Sequence, residues 1–330
     1  MARLIKRERI GVGIQTAQTI GSYVAPTNGT TIELTTGTMA DYIFAEGVEV
    51  TLSPENISRN YNRNSFSGGV RDVLGKKTVS VKFKTELLYT TAAVTEVGVM
   101  KTLFEACAYI HGTNTYTPLS TNYSGFPSPA KACSLVVNKD GYAHKIENCI
   151  GTGRISLESG KIGMIEFDFS GTVNGSVFST SETIASIVPN YINNVSGVSN
   201  FVVKSSSFSF DSVSNYTVSK IEIDLGNKIS LRDDMSGADG VIGFYLTGRE
   251  PSMTVSLEAP TTNYWVDKHE ALFAAAAIVT TPGYVFNMAD AQVISAPYTD
   301  LDGVLGHEVG FKLCETSAGD NALTITEDFA

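Results

Sequence analysis

Long apolar runs are missing from this sequence, and cysteine is scarce. No run approaches the roughly 20 apolar residues that a membrane-spanning helix needs, so we expect no membrane association. The basic start, residues 1–15, is not followed by the apolar segment of a secretory signal peptide, which favours a protein that stays in the cytoplasm. The chain has four cysteines and no CxxC pair, which predicts reduced thiols rather than a disulfide framework or a metal site.

Charged residues are also few, at 18% of the chain, and their signs are unbalanced. The formal net charge is −10 at pH 7, the opposite sign from a protein that holds nucleic acid through its phosphates. Tight binding of nucleic acid is therefore not expected. Hydrophobic residues make up 42% of the 330 residues, which is enough for a large core and argues against global disorder.

Recognisable catalytic and cofactor motifs are absent from the sequence as well. The GVG at 11–13 lacks the third glycine of a dinucleotide-binding loop, and there is no Walker A, HExxH or GxSxG motif. The four histidines are scattered, and Asp233 and Asp234 lack the alternating acidic positions of a calcium-binding loop. We therefore predict no enzyme activity, no cofactor and no metal, although an active site assembled from distant loops stays open.

Strand patterns are what the sequence does contain. Polar and apolar residues alternate with a period of two, which predicts a mainly β protein with antiparallel sheets that are exposed to solvent on one face. Apolar residues at helical spacing predict two helices, over 95–109 and 264–277. The alternating runs lie at 48–52, 79–83, 165–169, 221–225 and 253–257.

The strand patterns occur twice along the chain, in the order strand, glycine turn, strand, helix, hairpin and closing strand. We interpret this as two tandem copies of one β-rich unit, the second lacking much of the hairpin at 134–160. The predicted divisions are an N-terminal arm at 1–30, a first domain at 31–190 and a second at 191–330. The matching segments are VEVTL (48–52) with IEIDL (221–225), GKKTVSVKF (75–83) with GREPSMTVSL (248–257), LFEA (103–106) with LFAA (272–275), and GKIGMIEFDF (160–169) with GVLGHEVGFKL (303–313).

Acidic residues recur on the polar side of the predicted strands. Any one of them is explained as an ordinary solvent-facing residue, but Glu49 and Glu222 occupy matching positions in the two copies. If the copies sit side by side around a ring, the carboxylates line one continuous surface, on which Lys82 and Lys84 make the charge mixed. The five residues are Glu49, Glu166, Asp168, Glu222 and Asp224.

Two long polar hairpins, at 58–77 and 230–250, differ in charge. The first carries basic side chains and the second acidic ones, which is consistent either with mobile surface loops or with ordering against a partner of complementary charge. The residues concerned are Arg59, Arg63 and Arg71 in the first, and Asp233, Asp234 and Asp239 in the second.

An ordered set of segments across nearly the whole chain resembles the tail tube (major tail) proteins of long-tailed bacteriophages, in their form with two tandem domains. The set includes MARLIKRE at the start, GVEVTLSPENISRN, VLGKKTVSVKF, VMKTLFEACAY, YTPLS, KDGYAHKIENCIGTGRISLESGKIGMIEFDFSG and SKIEIDLGNKISLRDDM. The Ser-rich region 178–215 departs from the resemblance.

The resemblance implies two tail-tube β-barrel or sandwich domains, each flanked by one helix, whose sheets join those of neighbouring subunits. Three copies would form a pseudo-hexameric ring, and stacked rings would form the tail tube of a virion assembled in the host cytoplasm. Its implied partners are further copies, a tape measure protein in the lumen, terminator and distal tail proteins at the ends, and DNA in transit without specific binding.

Within such a tube, we expect the five acidic residues to face the lumen, where negative charge repels phosphate and lets DNA slide. The 58–77 and 230–250 hairpins and the arm at 1–25 are expected to contact the next ring. The alternatives are the inner tube of a contractile injection system, another self-assembling β-rich surface filament, or an enzyme on a β-sandwich.

Overall fold

The structure is a computed structural model that describes residues 8–15, 42–59, 71–90, 98–119, 132–139, 142–173, 178–179, 198–236, 240–260 and 262–328. Strands dominate these residues and all their pairings are antiparallel, so the mainly β prediction is confirmed. Neither helix in this part of the chain is long and apolar enough to cross a membrane.

The first half of the chain contributes eleven of the described strands and one helix. In order they are β1 (Glu8–Gln15), β2 (Tyr42–Ile43), β3 (Glu46–Ile57), β4 (Val73–Glu86), β5 (Leu88–Thr90), α1 (Gly98–Ala106), β6 (Tyr109–His111), β7 (Thr115–Pro118), β8 (Ala132–Lys139), β9 (Tyr142–Glu158), β10 (Met164–Thr172) and β11 (Phe178–Ser179).

The second half contributes a further eleven described strands and the second helix. They are β12 (Val198–Asn200), β13 (Ser207–Phe210), β14 (Val218–Asp224), β15 (Asn227–Asp233), β16 (Val241–Arg249), β17 (Ser252–Glu258), α2 (Tyr264–Glu270), β18 (Ala274–Thr280), β19 (Tyr284–Ser295), β20 (Tyr298–Leu301), β21 (Val304–Cys314) and β22 (Thr324–Glu327).

The same strand order occurs in both halves. In the first, the neighbours run β3, β4, β10, β9, β8, β1. In the second, they run β14, β17, β21, β19, β18, β13. We call these two sets of six strands the first and second repeat.

Details of the second repeat correct the sequence-based prediction. Its helix ends at Glu270 rather than at 277, because Leu272 adopts a left-handed φ of 47° and residues 274–280 pair with β13 and β19 as strand β18. LFAA at 272–275 is therefore not the counterpart of LFEA, which lies in α1. The hairpin expected to be missing is present as β18 and β19, and the second repeat instead lacks a counterpart of β6 and β7 between its helix and hairpin.

The first helix is also shorter than predicted, spanning 98–106 rather than 95–109. Residues 8–15, inside the predicted N-terminal arm, form a strand that pairs with β8 and β2. The rest of the arm lies outside the described residues, as does the predicted boundary at 190/191, so the domain limits stay a prediction. Strand β12 pairs with β5, and β22 pairs with β7, so each half also pairs with the other.

One continuous core lies beneath both repeats. Alternation places Phe167 and Phe169 of β10 inward beside Phe83, with ring centroids 5.5 and 6.1 Å from that of Phe83. In the second repeat, the ring of Trp265 from α2 lies 5.9 Å from that of Phe311 on β21. Both helices cover the core side of the sheets, which leaves the opposite sheet face polar.

Candidate assembly surfaces

The two repeats are joined edge to edge within one chain, through an antiparallel pair that we call the internal joint. The second half of β9 pairs with β14 over five residue pairs, from Glu158 opposite Lys220 to Arg154 opposite Asp224. Backbone hydrogen bonds continue beyond both ends, since Ser159 N–H donates to Ser219 O at 3.0 Å and Leu225 N–H donates to Gly153 O at 2.9 Å. The joint therefore converts two sheets into one.

Apolar side chains seal the core side of the joint. Ile155 and Ile223 lie directly opposite each other, and both are fully buried. Leu225 is buried beside Gly153, where an added Cβ would lie 3.3 Å from the Leu225 Cδ1 atom. Burial of a Leu or Ile side chain is worth about 1.5–3 kcal/mol, so the joint is held by more than its backbone hydrogen bonds.

Polar contacts fix the second repeat against the end of α1. Asn227 Nδ2 donates to the carbonyl oxygens of Cys107 and Gly151, at 2.7 and 3.0 Å. The Arg249 guanidinium donates to Asn227 Oδ1 at 2.9 Å and lies 4.8 Å from the ring centroid of Tyr109. Burial raises the pKa of the Tyr109 hydroxyl to about 12, so the ring beside Arg249 stays neutral even in alkaline solution near pH 10.

The hairpin of β15 and β16 leaves the second repeat and lies over the first. Phe244 packs with Ala132 and Ile150 of the first repeat in a small buried cluster. At its tip, Asp233 forms an ion pair with Lys76, whose Nζ lies 2.8 Å from Asp233 Oδ2. The hydrogen bond that Lys76 donates in this pair raises the pKa of its amine. The ion pair is exposed, so it adds little stability.

The five acidic residues proposed for the lumen share one face of the joined sheet. Cross-strand pairing links Glu49 to Lys82 and then to Asp168, and links Glu166 through Arg154 to Asp224. Glu222 lies opposite Ser156 on the same face. We call this the polar face.

Cations on the polar face partly balance the carboxylates. Lys82 lies 2.8 Å from Asp168, Arg154 lies 3.5 Å from Asp224, and Lys220 lies 2.7 Å from Glu222. The hydrogen bonds that Lys82 and Lys220 donate to Asp168 and Glu222 raise the pKa of both amines. The face is therefore mixed in charge, as the sequence indicated, and its alternating pairs stabilise neighbouring strands.

Four of the six residues predicted to contact the next ring lie within the described part of the chain. Arg59 donates from its guanidinium to Arg71 O at 2.8 Å, which ties the two sides of the first hairpin together. Asp233 is occupied within the chain by Lys76, and Asp234 accepts from the backbone and hydroxyl of Ser236 in a turn. Arg63 and Asp239 lie outside the described residues. Whether any of these side chains meets another ring stays a prediction.

Strands β3 and β20 stand at the two ends of the run β3, β4, β10, β9, β14, β17, β21, β20, and each has one partner in the described part of the chain. At one end β3 pairs with β4, and at the other β20 pairs with β21. Apolar side chains at these ends are open to solvent, with Leu52 38% and Tyr298 59% exposed. Sequence reasoning missed β20, because its four residues show no alternation of their own.

Two features of the described residues concern metal binding and the reactivity of the cysteines. No group of three or more His, Cys, Asp or Glu side chains among them could hold a metal ion. The three buried cysteines are free thiols, and burial is the main cause that raises the pKa of Cys107 and Cys149. A buried thiol with a raised pKa is a poor nucleophile, so these cysteines serve the core.

Comparison with known proteins does not identify the chain. No protein-family model matches the sequence, and a search of curated proteins finds no match.

Proposed function

We propose that this chain is a structural subunit that polymerises into a tail tube of the kind found in long-tailed bacteriophages. Three copies close into a pseudo-hexameric ring, and rings stack into a tube through which DNA leaves the virion. The role is structural, with no catalytic step and no cofactor.

The observation that carries this proposal is the internal joint. One chain contains two six-stranded repeats of the same order, already fused edge to edge by β9 and β14. The same edge-to-edge strand pairing between two molecules would extend the sheet from one copy to the next. Open sheet edges favour pairing with further strands, and a closed ring leaves no edge free.

The polar face supports a conduit. It runs without interruption across both repeats, so in a ring it would form one continuous wall. Its carboxylates are neutralised in part by lysine and arginine, and the chain as a whole carries a net charge of −10. A wall that does not attract phosphate exchanges no counterions with DNA, so DNA passes without being held. The tape measure, terminator and distal tail proteins remain partners implied by the resemblance.

Electron microscopy of the purified protein, paired with sedimentation velocity, tests this proposal. We expect hollow rings or tubes whose abundance rises with protein concentration, because assembly is driven by mass action. Monodisperse monomers at every concentration, in low and high salt, would overturn it.

A further inference from the structure

The two open ends of the joined sheet correspond to the two strands of the internal joint. We align the two repeats by taking Val50 of β3 as the counterpart of Ile223 of β14. Val50 pairs with Val81, and Ile223 pairs with Met253. Those residues lie opposite Phe169 and Phe311, so the matched register brings two phenylalanines to the same position. Following the register one strand further makes Tyr298 the counterpart of Ile155.

Strand β20 is thus the counterpart of the half of β9 that forms the joint, and β3 is the counterpart of β14. In the first repeat Ile165 lies opposite Ile155, and in the second its counterpart His307 lies opposite Tyr298. One repeat has this strand paired on both sides, whereas the other has it paired only with β21 among the described strands.

Backbone geometry fits this correspondence. The hydrogen bonds at Leu225 and Ser159 fix the alternation in the joint, so Ile155 directs its N–H and C=O towards β14 and Arg154 directs its own away. The counterpart of Arg154 is Pro297, whose carbonyl accepts from Glu308 N–H at 3.1 Å on the β21 side. The N–H that proline lacks is therefore not needed at the outer edge.

Burial distinguishes the filled joint from the open ends. Ile155 and Leu225 are 0% exposed, while their counterparts Tyr298 and Leu52 are 59% and 38% exposed. Apolar side chains that are buried in one repeat and exposed at the matching position of the other indicate a surface completed by a second molecule.

We propose that β20 of one copy pairs antiparallel with β3 of the next copy, with Val50 opposite Tyr298 and Glu49 opposite Thr299. The pairing repeats the internal joint between molecules, and it is a heterologous contact that closes into a ring. This inference rests on the proposed function, and it adds the strands and the register.

Disulfide trapping tests the register. Glu49 and Thr299 take the places of Glu222 and Ser156, a pair without mutual backbone hydrogen bonds, whose Cα atoms in such a ladder are about 4.5 Å apart. Cysteines at that spacing can form a disulfide. In a Cys314→Ser background, the double variant Glu49→Cys with Thr299→Cys is expected to give covalent dimers and trimers when assembled protein is oxidised.

Matched controls separate the register from chance contact. The single variants Glu49→Cys and Thr299→Cys should assemble without covalent cross-links when oxidised alone, and should give covalent dimers when mixed before assembly, since the bond joins different copies. The pair Thr51→Cys with Thr299→Cys should not cross-link, because those positions would lie diagonally, about 7–8 Å apart. Cross-linking of this second pair in its place would overturn the register.

The outcomes for the interface and for the proposed function are distinct. Rings or tubes that form without the Glu49–Thr299 cross-link overturn this inference and leave the proposed function standing, whereas protein that never assembles overturns both. If the double variant does not fold, hydrogen exchange on the unmodified protein decides. Amides of Tyr298 and Asp300, which point to the outer edge, should exchange at least tenfold more slowly in assembled protein than in monomer, and equal rates would overturn the pairing.

Discussion

Two buried tyrosines on neighbouring strands in the first half of the chain differ in what their hydroxyl groups contact. Tyr116 of β7 donates to Glu327 Oε1 at 2.7 Å, a hydrogen bond that ties the first half of the chain to the last strand. The hydroxyl of Tyr109 on β6 is buried without a hydrogen-bond partner among the described residues. An unmade hydrogen bond costs desolvation energy, so the same chemical change should have different consequences at the two positions.

We predict that Tyr116→Phe lowers the free energy of unfolding by about 2 kcal/mol, because it removes a hydrogen bond that Tyr116 donates to a buried carboxylate. Tyr109→Phe should be neutral or slightly stabilising at pH 7. Because burial raises the Tyr109 pKa to about 12, stability present below the unfolded pKa of about 10 should be lost as pH rises towards 12. Tyr109→Phe should reduce that loss. Denaturant unfolding at pH 7 and pH 11 measures both effects, and equal costs at pH 7 would contradict the assignment.

The role of Gly226 is set by backbone geometry. It has a φ of 65° where the chain turns from β14 into the β15 hairpin, and an added Cβ would overlap the Glu250 carbonyl oxygen. Gly303 also has a positive φ, 87°, but an added Cβ there meets nothing within 4 Å.

We predict that Gly226→Ala lowers the free energy of unfolding by about 3 kcal/mol, since it combines a left-handed backbone with a steric clash. Gly303→Ala is the matched control and should cost about 1 kcal/mol from the backbone alone. Thermal unfolding of both variants provides the comparison. A Gly226→Ala cost no larger than that of Gly303→Ala would show that the turn can relax.

At the scale of elements, local pattern predicted the strands in which polar and apolar residues alternate, and it failed where long-range pairing decides the outcome. Alternation correctly placed Phe167 and Phe169 inward and Glu166 outward. The alanine run at 274–277 favours a helix by intrinsic propensity, yet pairing with β13 and β19 draws it into strand β18. The joint between β9 and β14 brings together residues more than sixty positions apart, and no local signal in either strand encodes it.

The hairpin of β3 and β4 extends beyond the sheet, and its arms still face each other where Ile57 lies opposite Val73. Deleting residues 60–72 leaves Ser58 and Arg59 as a two-residue connection, which suits an antiparallel hairpin. We predict a folded protein with an unchanged thermal midpoint that forms rings but no long tubes. Circular dichroism and electron microscopy measure the two properties, and tubes of normal length would refute a role between rings.

At the scale of the whole molecule, the charge of the polar face depends on several strands together and not on any one side chain. Sequence reasoning identified its five acidic residues, because strand alternation fixes which side chains share a face. It could not identify Arg154 as the cation beside Asp224, because that contact exists only across the joint. The charge distribution of the polar face therefore follows from tertiary structure as well as from composition.

Reversing charge on this face should change how the assembly treats DNA. We predict that Glu166→Lys with Asp168→Lys, both on β10 and away from the proposed interface, leaves assembly intact and makes tubes formed in the presence of short duplex DNA retain it at low salt. The retained fraction should fall as salt rises, because phosphate binding releases counterions. The control Asp267→Lys with Glu270→Lys alters α2 on the core side of the sheet by the same charge. Equal retention by both variants, measured by co-sedimentation, would contradict a lumen position for the polar face.

An axial class average of the assembled protein tests the central claim most directly, since each chain is held to supply two equivalent wedges. The account predicts a closed hollow ring of six similar wedges built from three copies, with the sheet continuous between copies. Particles that remain single under all assembly conditions, or copies that associate without closing a ring, would contradict it.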